Sequence, residues 1–216
     1  MSSPRLINVI VFSDFASLPI SLSPLTLTLS PQICPYTFIG HAALMSAIEE
    51  CKSESLPLKF QVEYKPIRLS CQLPEDFSVD RRSYFTKKFG EKYTTAFEMV
   101  QAMGKSLGLE MLVNSPPQTS LLITTHSVPD GRLSQTTRAH RLAMKAYAIG
   151  GEAAQQALIR GYFEVYFNEG KDIGDVDLLG DLAAKVGFMT KDEVRFPLVS
   201  FSDQILTDLY VRQSLL

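Results

Sequence analysis

One cysteine, Cys34, stands where a thiol is expected to be reactive. It directly precedes Pro35, and an apolar helical pattern follows. Proline suits the first position of a helix because its φ angle is already helical and its missing N–H would have no partner there. Cys34 would then occupy the N-cap, beside free N–H groups and the positive end of the helix dipole, where the pKa of a thiol is lowered. An inert, buried cysteine before an ordinary helix is the alternative at this point.

The two other cysteines, Cys51 and Cys71, form no recognisable metal or disulfide pattern with Cys34. The sequence has no Cys-x-x-Cys pair, and the total of three is odd. Neither a disulfide framework nor a cysteine zinc site is therefore expected. His41 falls on the apolar face of the predicted helix, so it is expected to border the core rather than to bind a metal.

The composition is that of a globular chain without a polyionic partner. At 216 residues with 45% hydrophobic residues, one domain, or one domain with an insertion, is expected. A net charge of −2 and scattered basic residues give no indication of nucleic-acid or membrane binding. The N-terminus leads into a strand pattern rather than a signal peptide, so we expect a cytoplasmic protein.

The first third of the chain has the pattern of a β-α-β unit. Residues 6–12 are predicted to form a buried strand of a mostly parallel sheet, because the run is apolar and rich in β-branched residues. The helix after Cys34 extends to about Lys52, and alternating apolar residues predict a second strand over residues 58–69. Cys34 thus follows the first strand, near the sheet edge where ligands bind in such folds.

The rest of the chain is predicted to be mostly helical. Apolar stripes and terminal glycines place helices over residues 80–90, 91–108, 136–149, 152–168 and 175–186. The aromatic residues of these stripes are expected to form a core rather than a cofactor site.

Residues 34–40, Cys-Pro-Tyr-Thr-Phe-Ile-Gly, resemble the C-P-W-C-Y-x-G active-site region of DsbA-like thioredoxin-fold proteins. The similarity is greatest to the FrnE-like branch, which is related to 2-hydroxychromene-2-carboxylate isomerase and kappa-class glutathione transferase. Further similar segments follow in the same order along the chain, and together they cover most of residues 6–193: residues 11–14, 64–69 with 73–75, 134–142 (Ser-Gln-Thr-Thr-Arg-Ala-His-Arg-Leu) and 162–173.

The resemblance implies an α/β, thioredoxin-like fold with a β-α-β start and a helical insertion domain. Residues 1–75 would form the N-terminal thioredoxin-like half, and residues 76–193 a helical insertion that acts as a lid over the cysteine. Residues 194–216 would be a divergent tail. The family continues into a cis-proline loop, two strands and a final helix, and nothing after Glu193 is similar to them. The C-terminal thioredoxin half is therefore expected to be truncated or altered, which predicts lower stability than that of an intact relative, with loss of activity as one outcome.

The resemblance also implies thiol–disulfide or glutathione-linked chemistry with Cys34 as the catalytic nucleophile. Pro35 and Tyr36 would shape the approach to it. His140, in the helical insertion, is a candidate site residue, and a hydrogen-bonded structural histidine is the alternative.

Thr37 stands where the family has its second cysteine. Without a resolving thiol, Cys34 cannot close an intramolecular disulfide. One-thiol chemistry remains, either a mixed disulfide with glutathione or a thiolate that adds to a substrate. The isomerase and transferase relatives have serine near this position and use bound glutathione, so Thr37 is a second candidate catalytic residue whose hydroxyl would donate to a thiolate.

Residues 16–32 resemble an insertion between the first strand and the active-site segment. They carry no charge and consist almost only of Ser, Leu, Pro and Thr. Codons for Leu, Ser and Pro are mostly pyrimidine-rich, as are the ends of introns, so one hypothesis is a translated intron. Residues 112–131 show no helical or strand periodicity of apolar residues, and the same hypothesis covers them. Sequencing of the transcript tests it.

Three functions are consistent with these residues. The leading hypothesis is a DsbA-like oxidoreductase that acts through a single cysteine on a small-molecule or thiol substrate. A glutathione-dependent isomerase or transferase is the first alternative, and a non-catalytic or degenerate family member is the second. No covalently bound cofactor and no metal are expected, glutathione is the candidate cofactor, and the resemblance is compatible with a homodimer.

Overall fold

The structure is a computed structural model that describes residues 3–13, 35–66, 73, 76–90, 92–109, 111 and 131–200. Cys34, Cys71 and the segment 16–32 lie outside these ranges, as do residues 112–130 and 201–216. Predictions on those residues are not tested by the structure.

A parallel strand pair connected through a helix forms the N-terminal part. Strand β1 (Arg5–Ser13) pairs along its full length with β2 (Leu58–Pro66), and helix α1 (Pro35–Ser53) lies between them in sequence. The predicted β-α-β unit is confirmed, and α1 begins at the predicted residue.

Strand β1 is buried on one face only. Val11 is 2% exposed, whereas Leu6 and Ile10 on the opposite face are 53% and 46% exposed. The prediction of a buried strand is therefore confirmed for the face with Val11 and wrong for the face with Leu6 and Ile10. Parallel sheets usually have both faces covered, but no described element packs over Leu6 and Ile10.

The remaining described elements are mostly helical, as predicted. They follow in the order β3 (Val79–Asp80), α2 (Arg81–Phe89), α3 (Lys92–Ser106), β4 (Arg132–Leu133), α4 (Thr137–Phe163), a π-helical turn (Glu164–Asn168), α5 (Val176–Val186) and α6 (Lys191–Ser200). The short antiparallel β3–β4 ladder was not predicted. No described strand follows β4.

Capping residues set the ends of α2 and α5. The Asp80 side chain accepts a hydrogen bond from the N–H of Ser83, and Asp175 accepts from the N–H groups of Asp177 and Leu178. Gly187 ends α5 with a φ of 87°, which a residue with a Cβ rarely adopts. Local sequence therefore determines these boundaries.

Helix α4 consists of two antiparallel arms that meet at Gly151. This glycine has φ 63° and ψ −157°, which interrupts the helix where the sequence predicts a stop. Across the turn, the Tyr162 hydroxyl donates to the carbonyl of Ala139 at 3.1 Å, and Gln155 Nε2 donates to that of Ala143 at 3.1 Å. Both arms contribute to the core through Ala139, Leu142, Ala143, Ala146, Leu158, Ile159, Tyr162 and Phe163.

The Gln155 side chain attaches α4 to the free edge of β2. Its Oε1 accepts from the main-chain N–H of Tyr64 at 2.8 Å, and its Nε2 donates to the Tyr64 carbonyl at 2.9 Å. Gln155 is 0% exposed, so no water competes for these groups. At this position the amide replaces the main chain of a neighbouring strand, and buried strand groups require such a partner.

A buried arginine connects α2 to the π-helical turn. Arg81 is 1% exposed, and its Nη2 donates to the carbonyl of Tyr166 at 3.0 Å. Its guanidinium carbon lies 3.3 Å from the centroid of the Tyr166 ring. A desolvated cation–π contact of this kind stabilises by about 2 kcal/mol.

No helix in the described part of the chain is long and apolar enough to span a membrane.

Replacing Gln155 by methionine removes the amide and keeps the approximate length of the side chain. Tyr64 would then have a buried N–H and a buried carbonyl without these partners, so we expect the free energy of unfolding in urea to fall by about 3 kcal/mol. Gln156→Met is the matched control, because the Gln156 amide donates to Glu152, one turn away on the same helix. Equal losses in the two variants would contradict the role of Gln155.

Candidate functional site

The first turn of α1 is the centre of the candidate site. Pro35 is the first helical residue, and Cys34 is bonded to it but lies outside the described residues. The first turn of α1 contains no acidic side chain, whereas the N-terminus of α5 is capped by Asp175. The positive end of the α1 dipole is therefore not neutralised by a carboxylate of its own turn, and it remains able to stabilise an anion.

Thr37 carries a buried hydroxyl in this turn. The residue is 1% exposed, and its Oγ1 has no hydrogen-bond partner in the structure as described. Leaving such a group unpaired costs about 1–3 kcal/mol. Thr37 is the third residue of α1, three positions after Cys34 in the sequence. An unpaired buried hydroxyl beside a helix N-terminus is suited to donate to an anionic group.

Aromatic side chains fix this end of α1 against the insertion. The Phe38 ring lies 4.8 Å from that of Phe163 and stacks on Phe167 at 5.4 Å. Tyr36 and Pro35 are half-buried. The helix that begins the site is thus packed against α4 and the π-helical turn within its first two turns.

His41 lies one turn further along α1 and is 5% exposed. Its Nδ1 is 2.5 Å from the hydroxyl of Tyr64, and its ring is 5.6 Å from that of Phe163. Burial lowers the pKa of His41 to about 4, and the positive charge of Arg160 acts in the same direction. The prediction that His41 packs at the core is confirmed, and the ring is neutral at neutral pH.

His140 is buried in the first turn of α4, at 3% exposed. Its neighbour Ala139 accepts a hydrogen bond from the Tyr162 hydroxyl. Phe163, which follows Tyr162 in the sequence, contacts Phe38. His140 is therefore in the arm of α4 that packs against the arm touching α1. Its role as a site residue stays a prediction.

The sequence does not identify the residues of α4, the π-helical turn and β2 that hold α1 in place. The sequence places Phe163 only in an apolar stripe, and it distinguishes neither Phe167 nor Gln155 from its helical neighbours. For Tyr64, the alternation of apolar residues along β2 is the signal in the sequence for its buried orientation. Contacts between distant segments have no signature in local spacing.

A concavity of about 590 Å³ lies away from α1, between the start of β3 and the N-termini of α4 and α5. Its lining includes the ion pairs Arg138–Asp76 at 3.1 Å and Arg195–Asp177. None of its lining residues belongs to α1. Within the described ranges, no group of three or more His, Cys, Asp or Glu side chains could hold a metal ion.

The buried histidine predicts a specific pH dependence of stability. The native pKa of His41, about 4, lies below the ordinary 6.5, so the unfolded chain binds a proton first as pH falls. The stabilisation of the fold by the neutral His41 ring is present above about pH 6.5 and is lost as the pH falls toward 4. Relative to His41→Gln, the wild type is expected to lose about 2 kcal/mol of unfolding free energy between pH 7 and pH 5. Parallel pH profiles of the two proteins would contradict the assignment.

The family profile of the DSBA-like thioredoxin domain matches residues 31–204. The match extends past Glu193, so the prediction that similarity ends there is wrong. Curated protein sequences give no match.

The crystal structure of a probable DsbA oxidoreductase from Streptomyces coelicolor superposes with a TM-score of 0.62 at 20% identity. The alignment covers 89% of this chain and 68% of that one. This likeness confirms the thioredoxin-like fold with its helical insertion. Because the family profile spans well over half of the sequence, the chain belongs to the DSBA-like thioredoxin domain family.

Proposed function

We propose that the chain is a thiol–disulfide oxidoreductase that acts through the single thiol of Cys34. Membership of the DSBA-like family supports the reaction class. The start of α1 at Pro35 supports the position of the nucleophile, since the preceding residue adjoins the unpaired N–H groups of the helix. A thiolate in that position is stabilised by the helix dipole.

The reaction is an exchange in two steps. The Cys34 thiolate attacks one sulfur of a substrate disulfide, forms a new S–S bond, and releases the other sulfur as a thiolate. Thr37 has no sulfur with which to resolve the mixed disulfide. An external thiol, such as glutathione, must therefore attack the substrate sulfur of the mixed disulfide. Cys34 leaves as a thiolate, and the external thiol and the substrate sulfur form a new disulfide.

The observation that carries this proposal is the unpartnered hydroxyl of Thr37. A buried hydroxyl without a protein partner is destabilising for the fold. Its retention beside position 34 is accounted for if it donates to a thiolate during the reaction. Hydrogen bonds to an ionised acceptor are stronger than those between neutral groups.

A glutathione-dependent isomerase or transferase of the FrnE-like branch is the second candidate. In that case the thiolate belongs to bound glutathione, and the Thr37 hydroxyl orients it. The same unpaired hydroxyl favours this candidate. A non-catalytic family member remains the third outcome of the experiments below.

Replacing Cys34 by serine separates the candidates. Exchange with glutathione disulfide is expected to slow at least about a hundredfold, because an unactivated hydroxyl is a poor nucleophile. Cys51→Ser is the matched control, since Cys51 is half-buried near the other end of α1, and it should leave the rate unchanged.

The other outcomes point to the alternatives. Glutathione-dependent turnover that survives in Cys34→Ser, or glutathione that stays bound through purification, would favour the isomerase or transferase. A folded wild type without activity in either assay would leave the non-catalytic family member.

Replacing Thr37 by valine tests the hydroxyl directly. The midpoint of thermal unfolding should be unchanged or higher, because a buried unpaired hydroxyl is exchanged for a methyl group. Alkylation of Cys34 at pH 7, measured in a Cys51→Ser, Cys71→Ser background, should slow by about tenfold. A lower unfolding midpoint with unchanged alkylation would instead make Thr37 a structural residue.

A further inference from the structure

Arg81 is a buried cation at the start of α2. Its side chain is 1% exposed, and none of the ion pairs among the described residues includes it. Nη2 donates to the carbonyl of Tyr166 at 3.0 Å, whereas Nε and Nη1 have no hydrogen-bond partner in the described part of the chain. A desolvated charge without a counter-charge opposes folding. General stabilisation of the fold therefore does not account for an arginine at this position.

Arg81 supports the π-helical turn in two ways. Tyr166 is the third residue of that turn, and the last four carbonyls of a helix have no donor within it. Arg81 supplies a donor to one of them, the carbonyl of Tyr166, and its guanidinium also contacts the ring of the same residue. A planar guanidinium with a fixed fork of donors can donate and stack at once, which the ammonium of lysine does not do. The conformation of the turn at Tyr166 thus depends on Arg81.

Aromatic contacts continue from Tyr166 to the candidate site. The Tyr166 ring meets that of Phe167 edge-on, with centroids 5.0 Å apart and planes at 89°. Phe167 stacks on Phe38 at 5.4 Å, with planes 8° apart, and Phe38 is the fourth residue of α1. Close-packed interiors transmit displacements, so a change at Arg81 can reach the first turn of α1. π-helical turns are frequent at functional sites.

We propose that Arg81 is a positioning residue for the candidate site. By holding Tyr166, Arg81 fixes the ring of Phe167 against that of Phe38. The first turn of α1 then keeps the conformation in which Cys34 is reactive. This proposal rests on the proposed function, because it takes Cys34 as the nucleophile. Arg81 acts through the intervening rings and takes no part in the chemistry.

Replacing Arg81 by methionine removes the guanidinium and keeps a long side chain. Two quantities are measured in a background with Cys51 and Cys71 replaced by serine: hydrogen exchange of the amide groups of residues 39–41, and the pH midpoint of Cys34 alkylation. Exchange should become at least about tenfold faster, because the first turn of α1 loses support. The alkylation midpoint should rise by at least about 0.5 pH units, because a displaced helix N-terminus stabilises the thiolate less.

Leu179→Ala is the control for a general loss of stability. Leu179 is 0% exposed on α5, so this variant should lower the midpoint of thermal unfolding by at least about 4 °C. Leu179 does not belong to the row of contacts from Arg81 to Phe38. Exchange of residues 39–41 should therefore rise less than about threefold, since groups near a helix end exchange by local opening. The midpoint of Cys34 alkylation should not move.

Phe167→Leu tests the path of the coupling. It removes the ring that stacks on Phe38 and should raise both quantities as Arg81→Met does. If the two residues act through the same contacts, their effects are not additive in free energy. Exchange in the double variant should then exceed that in the faster single variant by less than about twofold. Should Arg81→Met not fold, Arg81→Lys replaces it in every comparison, because it keeps the charge and loses the planar fork.

Two results on exchange would overturn the proposal. One is exchange in Arg81→Met that matches the wild type or Leu179→Ala, and the other is a double variant in which the two single effects multiply. Faster exchange with an unchanged alkylation midpoint would make Arg81 a structural residue and would also overturn it. A wild-type alkylation midpoint at or above about 8.5 is a different failure. It would reject the proposed function on the wild type alone, and the exchange rates would then decide whether Arg81 holds α1.

Discussion

The two hydrogen bonds between the Gln155 amide and the Tyr64 main chain connect helix α4 to strand β2. They fix α4 to the edge of a sheet that has only two described strands. Because the Tyr64 main chain is held, its side chain is placed to meet His41 on α1. The same arm of α4 brings Phe163 against Phe38. The position of the candidate site thus depends on a polar contact in the interior.

This arrangement places a destabilising group in the first turn of α1, which is the candidate site. The stacking of Phe38 and the burial of His41 stabilise the start of α1, whereas the unpaired hydroxyl of Thr37 opposes folding. Buried polar groups that lack partners are uncommon in folded proteins. The proposed thiolate at position 34 would supply the missing acceptor, so the ionised form of the thiol would be stabilised by the fold itself.

Local signals predicted much of this structure. Asp175 and Gly187 set the ends of α5, and Pro35 set the start of α1, because caps act through the nearest main-chain groups. The break at Gly151 followed from two adjacent glycines. These features depend on a few neighbouring residues and are therefore visible in the sequence.

Features that depend on distant segments could not be predicted. The burial of Arg81 requires the Tyr166 ring and carbonyl, and the exposure of Ile10 depends on which elements pack over β1. Thr37 was recognised as a substitution in a cysteine motif, but its lack of a hydrogen-bond partner is a property of the folded chain alone. The family resemblance gave the identity of the candidate residues, and the fold gave their environment.

The most direct test of this account is the rate of Cys34 alkylation by iodoacetamide as a function of pH, in the folded chain with Cys51 and Cys71 replaced by serine. A thiolate stabilised by the α1 N-terminus and the Thr37 hydroxyl should titrate at least about one pH unit below the ordinary thiol value of about 8.5. A midpoint at or above about 8.5 would contradict the account, because neither the helix nor the hydroxyl would then be acting on the sulfur.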